Sequence, residues 1–172
     1  LTEEEKVRLL ARLSEVEGME HYLRRAFLGQ KQFSVEGLDV MIPMLDEAIE
    51  LGAAAGAHEV VIGMAHRGRL NVLAHVVGRP YEEILREFEG ERTIDAVVST
   101  DEGGTGDVKY HIGAEGTRAM SAGEITVTLA SNPSHLEAVD PVVEGRARAE
   151  QTALDRRRLP RPGGRAGRSH PR

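Results

Sequence analysis

No cysteine occurs anywhere in the chain, which excludes a disulfide framework, a thiolate metal site and a cysteine nucleophile. Tryptophan is absent too. Three Phe and three Tyr are the whole aromatic complement, so a core built from 172 residues has to be aliphatic and alanine-rich. No run approaches the ~18 apolar residues that cross a bilayer, and acids from Glu3 onward are unlike a secretory signal. These absences predict a soluble chain, with the cytoplasm as the expected compartment, forming one domain or a piece of one. The sequence also lacks Gly-x-x-x-x-Gly-Lys-Ser/Thr, Gly-x-Gly-x-x-Gly after a strand, Gly-x-Ser-x-Gly and His-Glu-x-x-His. A P-loop, a dinucleotide fingerprint, a hydrolase elbow and a zincin helix are therefore disfavoured.

What is present is unevenly distributed. The formal charge of −6 combines an acidic body with a basic end: seven Arg and no acid occupy residues 156–172, leaving 15 basic against 28 acidic groups, a net −13, in residues 1–155. Seven cations attract phosphate without sequence preference. With no aromatic residue there to stack on bases, a nucleic-acid arm is disfavoured, and a shifted coding frame of high GC content would give the same Arg, Pro and Gly composition. The expected organisation is a helical segment at 1–30, a partial binding domain at 31–155, and a disordered tail at 156–172.

Periodicity then places the elements. Thr2 and Glu5 have capping-box spacing, and Val7, Leu10, Leu13 and Val16 recur at helical steps, predicting a helix over about Glu3 to Glu17. Gly18 is expected to interrupt it before a second helical piece, Met19 to Leu28. Gln30 to Val35 reads as strand or loop. A helix from about Leu38 to Ala55 places Val40, Met41, Met44, Leu45, Ala48 and Leu51 on one side, predicted to be core. A strand over Glu59 to Met64, a helix closed by Gly78, a short helix over Tyr81 to Glu89 and an aperiodic stretch from Glu91 to Gly123 follow. Glu124 to Ala130 alternates as a strand, and Asn132-Pro133 opens a helix expected over Leu136 to Ala149, disturbed at Pro141.

Three polar clusters fall at strand ends or in the aperiodic stretch: His66-Arg67-Gly68-Arg69, Lys109-Tyr110-His111 and Ser131-Asn132-Pro133-Ser134-His135. A single histidine in a turn is more often a surface residue than a ligand-binding one. His66 is the exception, because the apolar run Val60-Val61-Ile62 hands it over beside two arginines. His66, Arg67 and Arg69 are predicted to face a ligand together, and two guanidinium groups beside an imidazole suit a phosphate or a carboxylate. Gly103-Gly104-Thr105-Gly106 could cradle a phosphate or serve as a hinge.

Four runs in this order carry a resemblance to a known family: Lys31-Gln32-Phe33-Ser34-Val35-Glu36-Gly37; Ile62-Gly63-Met64-Ala65-His66-Arg67-Gly68-Arg69-Leu70-Asn71-Val72-Leu73; Gly106-Asp107-Val108-Lys109-Tyr110-His111; and Asn132-Pro133-Ser134-His135-Leu136-Glu137-Ala138-Val139-Asp140-Pro141-Val142-Val143-Glu144-Gly145. From about Leu9 to Gln151 the chain resembles the E1 component of 2-oxoglutarate dehydrogenase, a thiamine-diphosphate enzyme. The resemblance implies an α/β fold, a mostly parallel sheet flanked by helices, as an incomplete thiamine-diphosphate-binding fold. It implies oxidative decarboxylation of 2-oxoglutarate, with the succinyl group passing to the lipoyl group of the dihydrolipoyl succinyltransferase (E2), alongside lipoamide dehydrogenase (E3). It also implies a homodimer in the full-length family, with neither membrane nor nucleic acid as partner. By the same resemblance, His66 and His111 act as catalytic and substrate-binding residues, Ser134 contacts substrate and cofactor, and Arg67 and Leu136 contact the thiamine diphosphate. The family's Mg²⁺ ligands and its activating glutamate are expected from segments this sequence does not contain, so no metal ligand is assigned and the chain alone is expected to be inactive. Leu38-Asp39 departs from the family's usual small residue and glutamate. A noncatalytic remnant that binds an anion or a partner is the alternative reading.

Overall fold

The computed structural model describes residues 1–97, 108–131 and 135–158. The chain opens with helix α1 (Glu3–Ala26). Thr2 caps it in a full capping box: the Glu5 N–H donates to the Thr2 hydroxyl, and the Thr2 N–H donates to the Glu5 carboxylate at 2.6 Å. Gly18 does not interrupt it, since one glycine inside a helix costs only about 1 kcal/mol and packing on both sides of it outweighs that. The buried stripe is Val16, Met19, Glu20 and Leu23, whereas Val7 and Leu10 of the periodic set lie open to solvent.

After Phe27, residues 31–35 form an irregular segment rather than a strand, and helix α2 (Met41–Ala54) follows. Its predicted core face is corrected in part, since Met41 and Leu45 do pack against the core. Ile42, Ile49 and Ala53 are buried, while Val40, Met44 and Leu51 are exposed. Met44 and Leu51 lie on the side opposite Ile42 and Ile49, so apolar composition alone does not choose the face. Asp46, on the inward stripe, accepts from Arg12 Nε of α1 at 2.7 Å and from Arg118 of the sheet at 2.6 Å, and that pairing sets the rotation.

Strand β1 (Glu59–Ile62) leads through Gly68 into the short helix α3 (Arg69–Asn71), which widens into π-helical turns over Val72–Val77 and stops at Gly78, φ 87°. Helix α4 (Tyr81–Val97), a 3₁₀ turn (Val108–Tyr110), strands β2 (Ala114–Met120) and β3 (Gly123–Leu129), and helix α5 (Leu136–Arg158) complete the order. α5 carries Pro141 inside it and takes in the first three arginines of the basic end.

The sheet order is β1-β3-β2, with β1 parallel and β2 antiparallel to β3. The expectation of a mostly parallel sheet is therefore corrected to a small mixed sheet flanked by helices. The missed element is β2, Ala114-Glu115-Gly116-Thr117-Arg118-Ala119-Met120, which lacks the β-branched alternation by which strands are read. Its Gly116 is required by close approach: a Cβ there would lie 2.0 Å from the Val77 carbonyl oxygen that ends the π-helical turns.

The two faces of β3 divide the molecule. Ile125, Val127 and Leu129 enter one aliphatic core with Val16, Ile42, Ile49, Leu73, Val76, Ile84 and Phe88. The opposite face is covered by α5, where Val139 is buried and Gly63 leaves room for Val139 and Val143. No helix among the described residues is long and apolar enough to cross a membrane.

Candidate functional site

The carboxyl edge of the sheet gathers the polar residues. Beyond β1 the chain turns at His66, and the 3₁₀ turn delivers Tyr110 and His111 from the other side. The two imidazole rings lie 4.8 Å apart at 37°. Phe33 walls His66, its ring 4.4 Å from that imidazole and 4.7 Å, edge-on, from Tyr110. The Tyr110 hydroxyl ties this wall down, donating to the Lys31 carbonyl at 3.3 Å and accepting from the Phe33 N–H at 3.4 Å. Sequence spacing does not bring Phe33 to Tyr110, because the two are separated by 77 residues.

Cations surround the cluster although residues 1–155 are acidic overall. Lys31 Nζ lies 4.9 Å from the Phe33 centroid. Lys109 is buried, its Nζ 4.4 Å from Phe88 and 5.3 Å from Tyr110. Aromatic faces stabilise ammonium groups that would otherwise be costly to desolvate.

The two arginines after His66 part company, which corrects the expectation that His66, Arg67 and Arg69 face a ligand together. Arg67 is exposed and donates to the Glu36 carbonyl in the turn before α2. It edges an open depression of about 440 Å³ lined by Phe33, Ser34 and Glu36. Arg69 is fully buried, with burial pushing its guanidinium pKa down to about 10. It donates to the carbonyls of Met64 at 3.2 Å, Ile112 at 2.9 Å and Ala130 at 2.6 Å. Left-handed Gly68, φ 74°, turns the chain between the two, and a Cβ there would meet Met41 at 2.7 Å and Val35 at 2.8 Å.

Glu20 is a further polar contributor that spacing alone does not assign. Buried in α1, it accepts from the Asn71 amide at 2.6 Å and from the Val35 N–H at 3.2 Å, fixing the segment that carries Phe33. One signal was available: Glu20 sits in an otherwise apolar helical stripe with Val16, Met19 and Leu23. Of the remaining expected residues, Ser134 lies outside the described residues, as does the Gly103 to Gly106 run. Leu136 is half-exposed at the first turn of α5, and His135 is exposed just before it. Gly113, two residues after His111, donates its N–H to Ser131 Oγ at 2.9 Å. Among the described residues no group of three or more His, Asp or Glu could hold a metal ion.

Two imidazoles, an exposed guanidinium and an aromatic wall can orient and donate to an oxyanion. Fold and site together define an α/β segment with a donor-rich sheet edge. No family model matches the chain. Over 158 residues it is 56% identical to the 2-oxoglutarate dehydrogenase E1 component of Geobacillus sp. (strain WCH70), covering 88% of this chain and 16% of that protein. The E1 components of Bacillus mycoides (strain KBAB4) and Bacillus cereus (strain AH187) are each 49% identical over 160 residues, 93% of this chain and 16% of theirs. Over that shared segment the chain is similar to 2-oxoglutarate dehydrogenase E1 components. It spans 16% of the length of the curated relatives it matches.

Proposed function

We propose that the His66–His111 edge is the 2-oxo acid side of a thiamine-diphosphate-binding fold, and that this chain is a piece of an E1 component. The whole protein would carry out oxidative decarboxylation of 2-oxoglutarate, passing the succinyl group to lipoyl-E2 in a complex with E3, as a homodimer. The observation that carries the reading is the pair of imidazole rings 4.8 Å apart against Phe33, in a chain 56% identical to an E1 component. 2-Oxoglutarate is a dianion. His66 and His111 would donate to its carboxylate and carbonyl oxygens, holding the reacting end in one orientation, while Phe33 and Tyr110 exclude water from that side.

The residues here fit the diphosphate end of the cofactor. A guanidinium has five N–H donors, the Glu36 carbonyl takes one of those on Arg67, and the fork stands at the rim of an open depression. Arg67, Ser134 and Leu136 would hold the thiamine diphosphate, which supplies an electron sink for the carbanion left by decarboxylation. The Mg²⁺ that accompanies it would be held by residues outside this chain.

Replacing the part of the Geobacillus E1 component that corresponds to residues 9–151 with those residues of this chain tests the reading. The chimera is expected to release carbon dioxide from 2-oxoglutarate, and His66→Ala or His111→Ala to lower kcat/KM by about 10²- to 10⁴-fold. Full activity in both variants would overturn the assignment. The isolated chain is expected to show no decarboxylation, and turnover by it would overturn that part.

A further inference from the structure

The three carbonyls bound by Arg69 lie on three different segments. Met64 lies just past β1, two residues before His66, Ile112 follows His111, and Ala130 comes directly after the last residue of β3. The side chain that reaches them is fully buried and springs from the first residue of α3, with no carboxylate among its hydrogen bonds. A buried cation held by carbonyls alone is an expensive way to stabilise a fold, because its charge is desolvated without an opposite charge to offset the loss. Its geometric property is different: a planar fork presents donors in fixed, diverging directions, which a lysine ammonium cannot do.

We propose that Arg69 is the positioning residue of this site. By clamping the carbonyls of Met64, Ile112 and Ala130 it sets the separation of His66 from His111, and it fixes the end of β3 at Ala130. That the clamped pair serves a 2-oxo acid rests on the function proposed above, but the clamp itself does not.

NMR of the ¹⁵N-labelled 172-residue chain, without ligand, tests it. In the wild-type chain the Arg69 Nη protons are expected as separate, slowly exchanging signals, and ring–ring NOEs are expected between His66 and His111. Arg69→Met is expected to lose those NOEs while the core signals of Val16, Ile49 and Leu73 stay in place. Arg69→Lys keeps the charge but not the fork, so it should not restore them. Should Arg69→Met fail to fold, the lysine variant and the wild-type guanidinium signals decide. Retained His66–His111 NOEs in either folded variant, or freely rotating, rapidly exchanging wild-type Nη protons, would overturn the clamp. Titration with 2-oxoglutarate separates the two claims. Shifts at His66 and His111 in the wild type that vanish in Arg69→Lys support both, whereas no binding to the wild type sinks the functional reading and leaves the clamp to be judged on ring separation alone.

Discussion

Arg69 and Arg146 both tie strands of one sheet together, and they do so by different physics. At the carboxyl edge, Arg69 is buried and spends its donors on backbone carbonyls. On the face under α5, Arg146 has a side chain 40% exposed and meets carboxylates: Glu59 of β1 at 2.7 Å and Glu115 of β2 at 3.3 Å, with the Thr128 hydroxyl of β3 at 3.1 Å. Cross-strand register makes the second cluster possible, since Glu115 stands opposite Thr128 and Glu59 opposite Thr126. The first is neutral in its partners and dry; the second is an ion-pair row that water and salt reach. Burial turns an arginine from a charge partner into a fixture of the backbone, and the site sits at the end built that way.

The largest expected effect breaks the buried end. Arg69→Met leaves three carbonyls without their donor and should cost about 3–5 kcal/mol, with a loss of urea midpoint that is the same at low and high salt. A salt-sensitive loss would mean that the charge, not the fork, matters there.

Next in size is Glu20→Ala, which removes the acceptor shared by Asn71 and the Val35 N–H. It should cost about 2–3 kcal/mol and broaden the Phe33 ring signals, while Glu20→Gln, which keeps an acceptor oxygen, should cost less. Equal losses in the two variants would show that the carboxylate charge is needed.

A pH series sharpens the contrast from a third position. His75, buried in the π-helical turns against Tyr81, has its pKa lowered by burial and by the nearby Arg12. An unfolded histidine takes a proton near pH 6.5, so below that value the unfolded state binds more protons than the folded one, and stability falls with falling pH. The loss should begin near 6.5 and level off once the pH passes beneath the lowered value of the folded state. His75→Gln should flatten that part of the curve in urea unfolding, and an unchanged slope would remove His75 as its cause.

The smallest effect belongs to the exposed cluster. Arg146→Ala should cost no more than about 1 kcal/mol, and the difference from wild type should shrink as salt is raised. A loss as large as that of Arg69→Met would erase the distinction between the two regions.

Much of the framework was legible in the sequence. Capping at Thr2, the strand after Glu59, the stop at Gly78 and the alternation of β3 are local signals written within a few residues, and the structure carries each of them. The faces of α1 and α2 were not legible, because a helix apolar on several sides takes its rotation from partners such as Asp46, Arg12 and Arg118 that are distant in the chain. Strand β2 was hidden for a related reason: its pairing and its close approach to Val77 compensate for poor strand composition.

For the site, the sequence by itself determined which residues carry donor chemistry, namely His66, Arg67, Arg69 and His111, and the family motifs that contain them. Only the tertiary structure decided that Arg67 stays at the rim while Arg69 turns inward, and that Phe33 and Tyr110 wall His66. The physical reason lies in one left-handed glycine and three carbonyls. Gly68 reverses the chain between two chemically identical side chains, and the carbonyls awaiting a donor come from segments up to 61 residues away from Arg69.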